Sequence, residues 1–271
     1  MIRISNKYTV KKKQLVMCLA ILILILILVL IGCSESSKKE AVAVTLTISA
    51  ASSLQDVLEA ITVKFHNKYP NMGIRYNFGA SGSLVTQIEQ GAPVDLFLSA
   101  SNEKFKELVV KELVQENATF ISNELVMITA LDKVKHLSSV KELNDNRIEK
   151  ISIGTPSIVP AGDYAKQALD YFDLWNEIEN KMVFAKDVRQ VLTYVETKNV
   201  DAGFVYKTDA IHSTKVKIVE TIDDESHHPI TYPVGIIKDT KNYIEAKKFY
   251  EFIQSEEVKD IWIKYGFTFI Q

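Results

Sequence analysis

The sequence predicts an α/β protein of two lobes, each a mostly parallel sheet flanked by helices. Two observations carry that expectation. From residue 42 onward, short β-branched runs alternate with segments of helical apolar spacing, the pattern of a sheet covered on both faces. Small residues recur where those runs meet the helices, at Ser52-Ser53, Ser81-Gly82-Ser83 and Pro160-Ala161-Gly162. Open α/β sheets bind ligands at that carboxyl edge.

Val42 to Ala50 alternates and is β-branched, which predicts the first strand. Apolar residues at 54, 57, 58, 61 and 65 predict a helix over Leu54 to Tyr69. Ser53 stands at its N-cap position, and Asp56 three residues on suggests a capping box. Pro70-Asn71 breaks this helix and Gly73 to Phe78 gives a second strand. Ser81 to Gly91 reads as a helix, Asp95 to Ser99 as a short buried strand, Asn102 to Val110 as a helix and Glu124 to Ala130 as a strand. The order β-α-β-α-β-α-β implies parallel pairing.

A second series follows. Ser139 to Leu143 reads as a short helix, Lys150 to Gly154 as a strand, Thr155 to Gly162 as a loop and Asp163 to Phe172 as a helix. Met182 to Phe184 is a strand, and Asp187 caps a helix over Val188 to Glu196. Ala202 to Tyr206 and Val216 to Glu220 are strands. A polar linker over Asp223 to His228 precedes a strand at Tyr232 to Ile237 and helices at Tyr243 to Ile253 and Glu256 to Tyr265.

Ahead of this α/β region stand Arg3, Lys7 and Lys11 to Lys13, then an unbroken apolar run from Leu19 to Ile31. That pattern is a secretory signal peptide; an uncleaved anchor is the alternative, because Leu15 to Ile31 is slightly short of a membrane span. Gly32-Cys33 decides between them, since this ending resembles a bacterial lipobox. It implies removal of residues 1–32, a lipid on Cys33, a tether over 33–44 and a location on the extracytoplasmic face of the cell membrane. Cys18 lies in the removed segment, so the mature chain has no disulfide, thiol nucleophile or cysteine metal site.

Residues 1–32 hold five basic and no acidic side chains, which leaves 27 Lys+Arg against 34 Asp+Glu and a formal charge of −7 in the mature part. Nucleic acid is a poor partner for such a surface. An anion must be held by local dipoles instead of the overall field.

Helix N-termini supply such dipoles together with free N–H groups. Four junctions offer them: Ser52-Ser53, Ser81-Gly82-Ser83, Pro160-Ala161-Gly162 and Asp187-Val188-Arg189. Ordinary capping explains any one of them. Their recurrence suggests a ligand that approaches backbone amides. Catalysis has weaker support: Gly79-Ala80-Ser81-Gly82-Ser83 fails the G-x-S-x-G elbow at residue 83, and no phosphate-binding glycine loop is present. His66, His136, His212 and the His227-His228 pair lack metal-ligand spacing and read as surface residues. Asn117-Ala118-Thr119 matches a glycosylation sequon, and Asp223, Asp224 and Glu225 read as a solvated loop.

Several segments are familiar together: Ala51-Ser52-Ser53-Leu54, Gln87 to Phe97 (QIEQGAPVDLF), Val159 to Ala165 (VPAGDYA), Asp187-Val188-Arg189, Gly203-Phe204-Val205-Tyr206, Tyr232-Pro233-Val234 and Tyr265-Gly266-Phe267-Thr268. In this order they resemble the molybdate-binding proteins of molybdenum ABC importers, over the chain from about Thr45 to the end. The resemblance implies a type II periplasmic-binding-protein fold, with lobe I at 45–125 and 230–271 and lobe II at 126–229. It implies a non-enzymatic monomer that needs no cofactor and delivers its ligand to an ABC transporter permease. Carried over by position, Ser53 and Ser81 are the hydroxyl donors, Ala161 and Val188 the backbone donors and Tyr206 the phenol donor. Molybdenum is then held as its oxyanion, without direct metal ligands. Gly79-Ala80 and Gly82 depart from the family pattern, where serines are common.

That set contains donors only. A hydrogen-bonded phosphate still carries a proton at neutral pH, and leaving that proton without an acceptor costs about 1–3 kcal/mol. Molybdate, tungstate and sulfate avoid the penalty. Asp56, Asp163 and Asp187 are read as first-turn caps facing away from the ligand, and Arg189 as pointing out of the cleft. Sulfate or another tetrahedral oxyanion is the nearest alternative, and a membrane-tethered serine hydrolase using Ser81 a distant one.

Overall fold

The computed structural model describes residue 17, residues 44–132 and residues 137–270. The expected signal peptide, the lipidation site Cys33, the tether and His136 lie outside the described residues. Residues from Val42 to Gln271 form one compact unit.

The first lobe follows the predicted order as far as α3 and then adds a strand. β1 (Val44–Ala51) is followed by a 3-10 turn (Ser52–Leu54), α1 (Gln55–Lys68), β2 (Met72–Gly79) and α2 (Ser81–Glu89). Then come β3 (Leu96–Leu98), α3 (Asn102–Val110) and β4 (Val114–Ser122). The second lobe holds β5 (Leu125–Ala130), β6 (Ile151–Gly154), α4 (Pro160–Tyr171), α5 (Trp175–Ile178), β7 (Met182–Ala185) and α6 (Val188–Glu196). It closes with β8 (Ala202–Tyr206), α7 (Lys207–Ala210) and β9 (Val216–Thr221). The chain then returns to the first lobe through β10 (Thr231–Ile237), α8 (Tyr243–Ile253), α9 (Glu256–Lys264) and β11 (Thr268–Phe269).

Two sheets result, in the orders β11-β4-β10-β3-β1-β2 and β7-β6-β8-β5-β9. β1 runs parallel to β2 and β3, and β6 parallel to β7 and β8. The remaining ladders are antiparallel, so the mostly parallel sheets expected from sequence are mixed sheets. Only Asn123 and Glu124 separate β4 from β5. These two residues carry the chain from the first sheet to the second. The two connections between lobes lie side by side, with Asn123 N–H donating to Ile230 O at 3.1 Å and Ile222 N–H to Leu125 O at 2.9 Å.

Several boundaries differ from the sequence reading. β4 was not expected: Gln115, Glu116, Asn117 and Thr119 interrupt its apolar pattern because alternate residues face outward. The sequon residue Asn117 lies within β4, paired with Gly235. The presumed loop over Thr155 to Gly162 ends at Val159, because Pro160 takes the first helical position, where its missing N–H costs nothing. The short α5 and α7 and the two-residue β11 were also unforeseen. His227 is buried, contrary to its expected surface placement, with its ring 5.7 Å from that of Tyr164.

An aromatic cluster fixes the carboxyl end of the first sheet. Trp262 meets Phe120 and Phe267 edge-on at 5.4 Å, and Phe267 meets Tyr232 at 5.5 Å. Each such pair contributes roughly 0.5–1.5 kcal/mol beyond burial. Tyr232 is thereby held with its hydroxyl at the junction between the lobes, against the ring of Tyr206 at 5.8 Å.

Candidate functional site

One small cavity lies between the lobes, and Ser53, Ser81, Ala161, Val188 and Tyr206 all line it. The rest of its wall is small or apolar, including Ser52, Gly79, Ala80, Ala100, Val159 and Pro160. No charged side chain is among the lining residues. Its empty volume is only ≈ 190 Å³. A nucleotide or peptide has no place there. A compact ligand does.

The fold aims three helix N-termini at this cavity. Ser81 is the first residue of α2, Ala161 the second of α4 and Val188 the first of α6. Each end presents N–H groups and the positive end of a helix dipole. In α4 the Gly162 and Asp163 amides turn back to Val159 O at 2.9 and 3.1 Å, so the Ala161 amide is the one not spent on the cap. In α6, Asp187 caps as expected, its Oδ1 accepting from Gln190 N–H at 2.9 Å. Its carbonyl takes the Val191 amide at 3.4 Å, which keeps the Val188 amide for the cavity. Smallness has a second cause at this junction: a Cβ on Gly162 would lie 1.9 Å from Gly154 O, so α4 can seat on β6 only with glycine there.

Hydrogen bonding orients the hydroxyls. Ser81 Oγ accepts the Ala100 N–H at 3.0 Å, which turns the Ser81 proton away from Ala100. Tyr232 Oη accepts from Asn123 Nδ2 at 3.1 Å and lies 3.1 Å from Ser53 Oγ. Either hydroxyl of the Ser53–Tyr232 pair can donate; where Tyr232 gives its single proton to Ser53, the Ser53 proton is left for the cavity. Tyr206 Oη donates to Ala100 O at 3.4 Å, so the Ala100 peptide touches hydroxyls from both lobes, accepting from Tyr206 and donating to Ser81. Burial holds the Tyr206 and Tyr232 phenols well above the usual range, and both stay protonated donors at any physiological pH.

Three sequence readings are corrected here. Ser53 is not an N-cap: it sits in the 3-10 turn, α1 starts at Gln55 and no side chain caps it. Asp56 forms no capping box. Its carboxylate pairs with Arg189 at 3.0 Å, which joins α1 of the first lobe to α6 of the second, so Arg189 reaches across the cleft instead of pointing out of it. Asp163 accepts from Gln167 Nε2 at 2.8 Å and does not line the cavity.

Tyr232, Asn123 and Ala100 act behind the site and were not singled out from sequence as donors or supports. Only the Tyr232-Pro233-Val234 segment gave a signal. Asp209 was missed altogether. It lies in α7, three residues after Tyr206, and its Oδ2 is buried without a hydrogen-bond partner. Burial pushes its carboxyl up to about 7, against the pull of Arg189.

Hydrolytic chemistry finds no support. Among the described residues, His66, His212 and His228 are exposed, and His227 Nδ1 is engaged with the His228 carbonyl at 2.9 Å. None lines the cavity beside Ser81.

Two α/β lobes joined by paired connections, with helix dipoles and hydroxyls converging on a small uncharged cavity between them, are the architecture of a binding protein. The chain belongs to the bacterial extracellular solute-binding protein family, whose model matches residues 46–268. It is 48% identical over 223 residues, 82% of this chain and 85% of the relative, to the substrate-binding lipoprotein YvgL of Bacillus subtilis, assigned to an ABC transporter. It is 34% identical over 226 residues to the molybdate-binding protein ModA of Haemophilus influenzae, covering 82% of this chain and 89% of that one. A solved substrate-binding domain from Clostridium difficile, assigned to a molybdenum ABC transporter, superposes with a TM-score of 0.66 at 41% identity, over 84% of this chain and 100% of that chain. The protein is thus a solute-binding component of an ABC transporter.

Proposed function

We propose that this protein captures molybdate, and tungstate with it, between lobe I (45–125 and 230–271) and lobe II (126–229), and delivers it to the permease of an ABC importer. It does so as a monomer held on the outer face of the membrane by a lipid on Cys33. Ser53, Ser81 and Tyr206 donate hydroxyl protons to the oxyanion, and Ala161 and Val188 donate backbone N–H groups.

The observation that carries this reading is the hydroxyl wall, which holds no carboxylate acceptor. Every polar side chain lining the cavity is a hydroxyl, and no carboxylate or histidine lines it. A monoprotonated phosphate has a proton that needs an acceptor, and burying it unpaired costs about 1–3 kcal/mol. A fully deprotonated tetrahedral dianion carries none. Hydroxyls and amides hold that charge without a fixed ion pair, which suits a ligand that must later be released. The molybdate-binding name of the Haemophilus influenzae relative favours molybdate over sulfate, the nearest rival dianion.

Thermal melting with each anion tests the assignment. A ligand that binds only the folded state raises Tm by mass action, by about 2.7 kcal/mol of stabilisation at one hundred times Kd. Molybdate and tungstate are expected to raise Tm strongly and phosphate to leave it unchanged. A clear shift with sulfate or phosphate and none with molybdate overturns the specificity.

A further inference from the structure

We propose that Asp209 is a second partner of Arg189, taken up when the lobes part, and that this exchange eases release of the anion; the inference rests on the oxyanion-capture reading. Arg189 is the second residue of α6, next to the cavity residue Val188. Its Nη1 donates to Asp56 Oδ2 of the first lobe at 3.0 Å. That contact is lost when the lobes separate. Asp209 lies in α7, which packs against α6 within the second lobe, so it stays beside Arg189 in either arrangement.

The Asp209 carboxyl is buried and its Oδ2 has no hydrogen-bond partner. Arg189 attracts this charge, while Asp56 and Asp187 repel it. Asp187 is itself engaged as the cap of α6. Arg189 is thus the cation that can answer Asp209, and in the closed arrangement Asp56 holds it. A buried carboxylate left unpaired destabilises the arrangement that contains it. With Asp56 withdrawn, the guanidinium turns its donors to Asp209 and that penalty is relieved. The exchange stabilises the open lobes relative to the closed ones. An anion held by donors of both lobes then binds less tightly and leaves faster than its contacts alone would allow.

The test uses the full chain at pH 8, where Asp209 is charged, since burial raises its carboxyl only to about 7. Calorimetric titration and stopped-flow dissociation with molybdate compare the wild type with Asp209→Asn, Asp56→Ala and Arg189→Gln, and with Asp209→Asn combined with Arg189→Gln. Asp209→Ser repeats the first comparison should the asparagine variant fail to fold. Neutral residue 209 is expected to tighten binding about three- to tenfold, through slower dissociation. Asp56→Ala is expected to act in the opposite direction. In the Arg189→Gln background, Asp209→Asn is expected to change nothing. Unchanged or weaker binding in both residue-209 variants overturns the proposal. So does equal tightening with and without Arg189, which would make Asp209 a simple repeller of the anion. If the wild type binds neither molybdate, tungstate nor sulfate, the capture reading fails and the inference fails with it.

Discussion

The Tyr232 hydroxyl lies 3.1 Å from Ser53 Oγ, although the two residues are 179 positions apart. The contact joins the last long strand of the first lobe to the turn after its first strand. Asn123, from the first connection between lobes, donates to the same phenol at 3.1 Å and to Thr208 Oγ1 at 2.8 Å. Ser53 is thus tied to residues at the connection between the lobes.

Tyr232→Phe removes that relay while keeping the ring and its packing on Phe267. Molybdate affinity is expected to fall about 5- to 30-fold, from loss of one oriented donor worth roughly 1–2 kcal/mol. Calorimetry measures the affinity, and a melt of the ligand-free protein should show a smaller stability change of about 1 kcal/mol.

Ser53→Ala and Ser81→Ala should separate binding from folding. Ser53 caps nothing in α1, and the buried Tyr232 hydroxyl that loses it still has Asn123, so its loss should weaken binding with a smaller fall in Tm than that of Ser81. Ser81→Ala strands the buried Ala100 N–H, which costs about 1–3 kcal/mol of stability in addition to the lost ligand contact. Equal Tm losses in the two variants would contradict this division of roles.

Arg189→Gln breaks the contact with Asp56. The pair is partly exposed, so its worth is only about 0.2–1 kcal/mol. Molybdate affinity should drop no more than about fivefold, and the wild-type advantage should shrink as salt is raised. Titrations at low and high ionic strength read this directly.

Asp209 makes stability depend on pH. Its folded pKa of about 7 stands above the ordinary value of 3.8. Between those values the folded state holds a proton that the unfolded chain has released, so stability falls as pH rises from about 4 to 7. Asp209→Asn removes this slope. Melts from pH 5 to pH 8 should show the variant gaining on the wild type as pH rises; a constant difference would refute the assignment.

Much of the fold was legible before any coordinates. α6, β8 and α8 have the bounds that the sequence predicted, because the two helices each bury one regular face and β8 is buried throughout. β4 was illegible for the opposite reason, since its outward residues are polar and no glycine or proline pair brackets it. Ser53 was misread as a cap because a hydroxyl at a helix start satisfies the same local pattern whether it faces its own amides or a cavity. Asp56 and Arg189 were misread because their partner lies 133 residues away, beyond the reach of any local rule.

The sequence by itself determined the alternation of strands and helices, the small residues at their junctions and the chemical character of the donors. Those are local properties, fixed by side-chain size, branching and hydroxyl content. Only the tertiary structure decided which junctions face one another, that Ser53 answers to Tyr232, that Gly82 meets Ile158 and that Asp209 is buried. Each of these depends on bringing distant segments across two lobe connections, where packing chooses the partner and sequence distance carries no information.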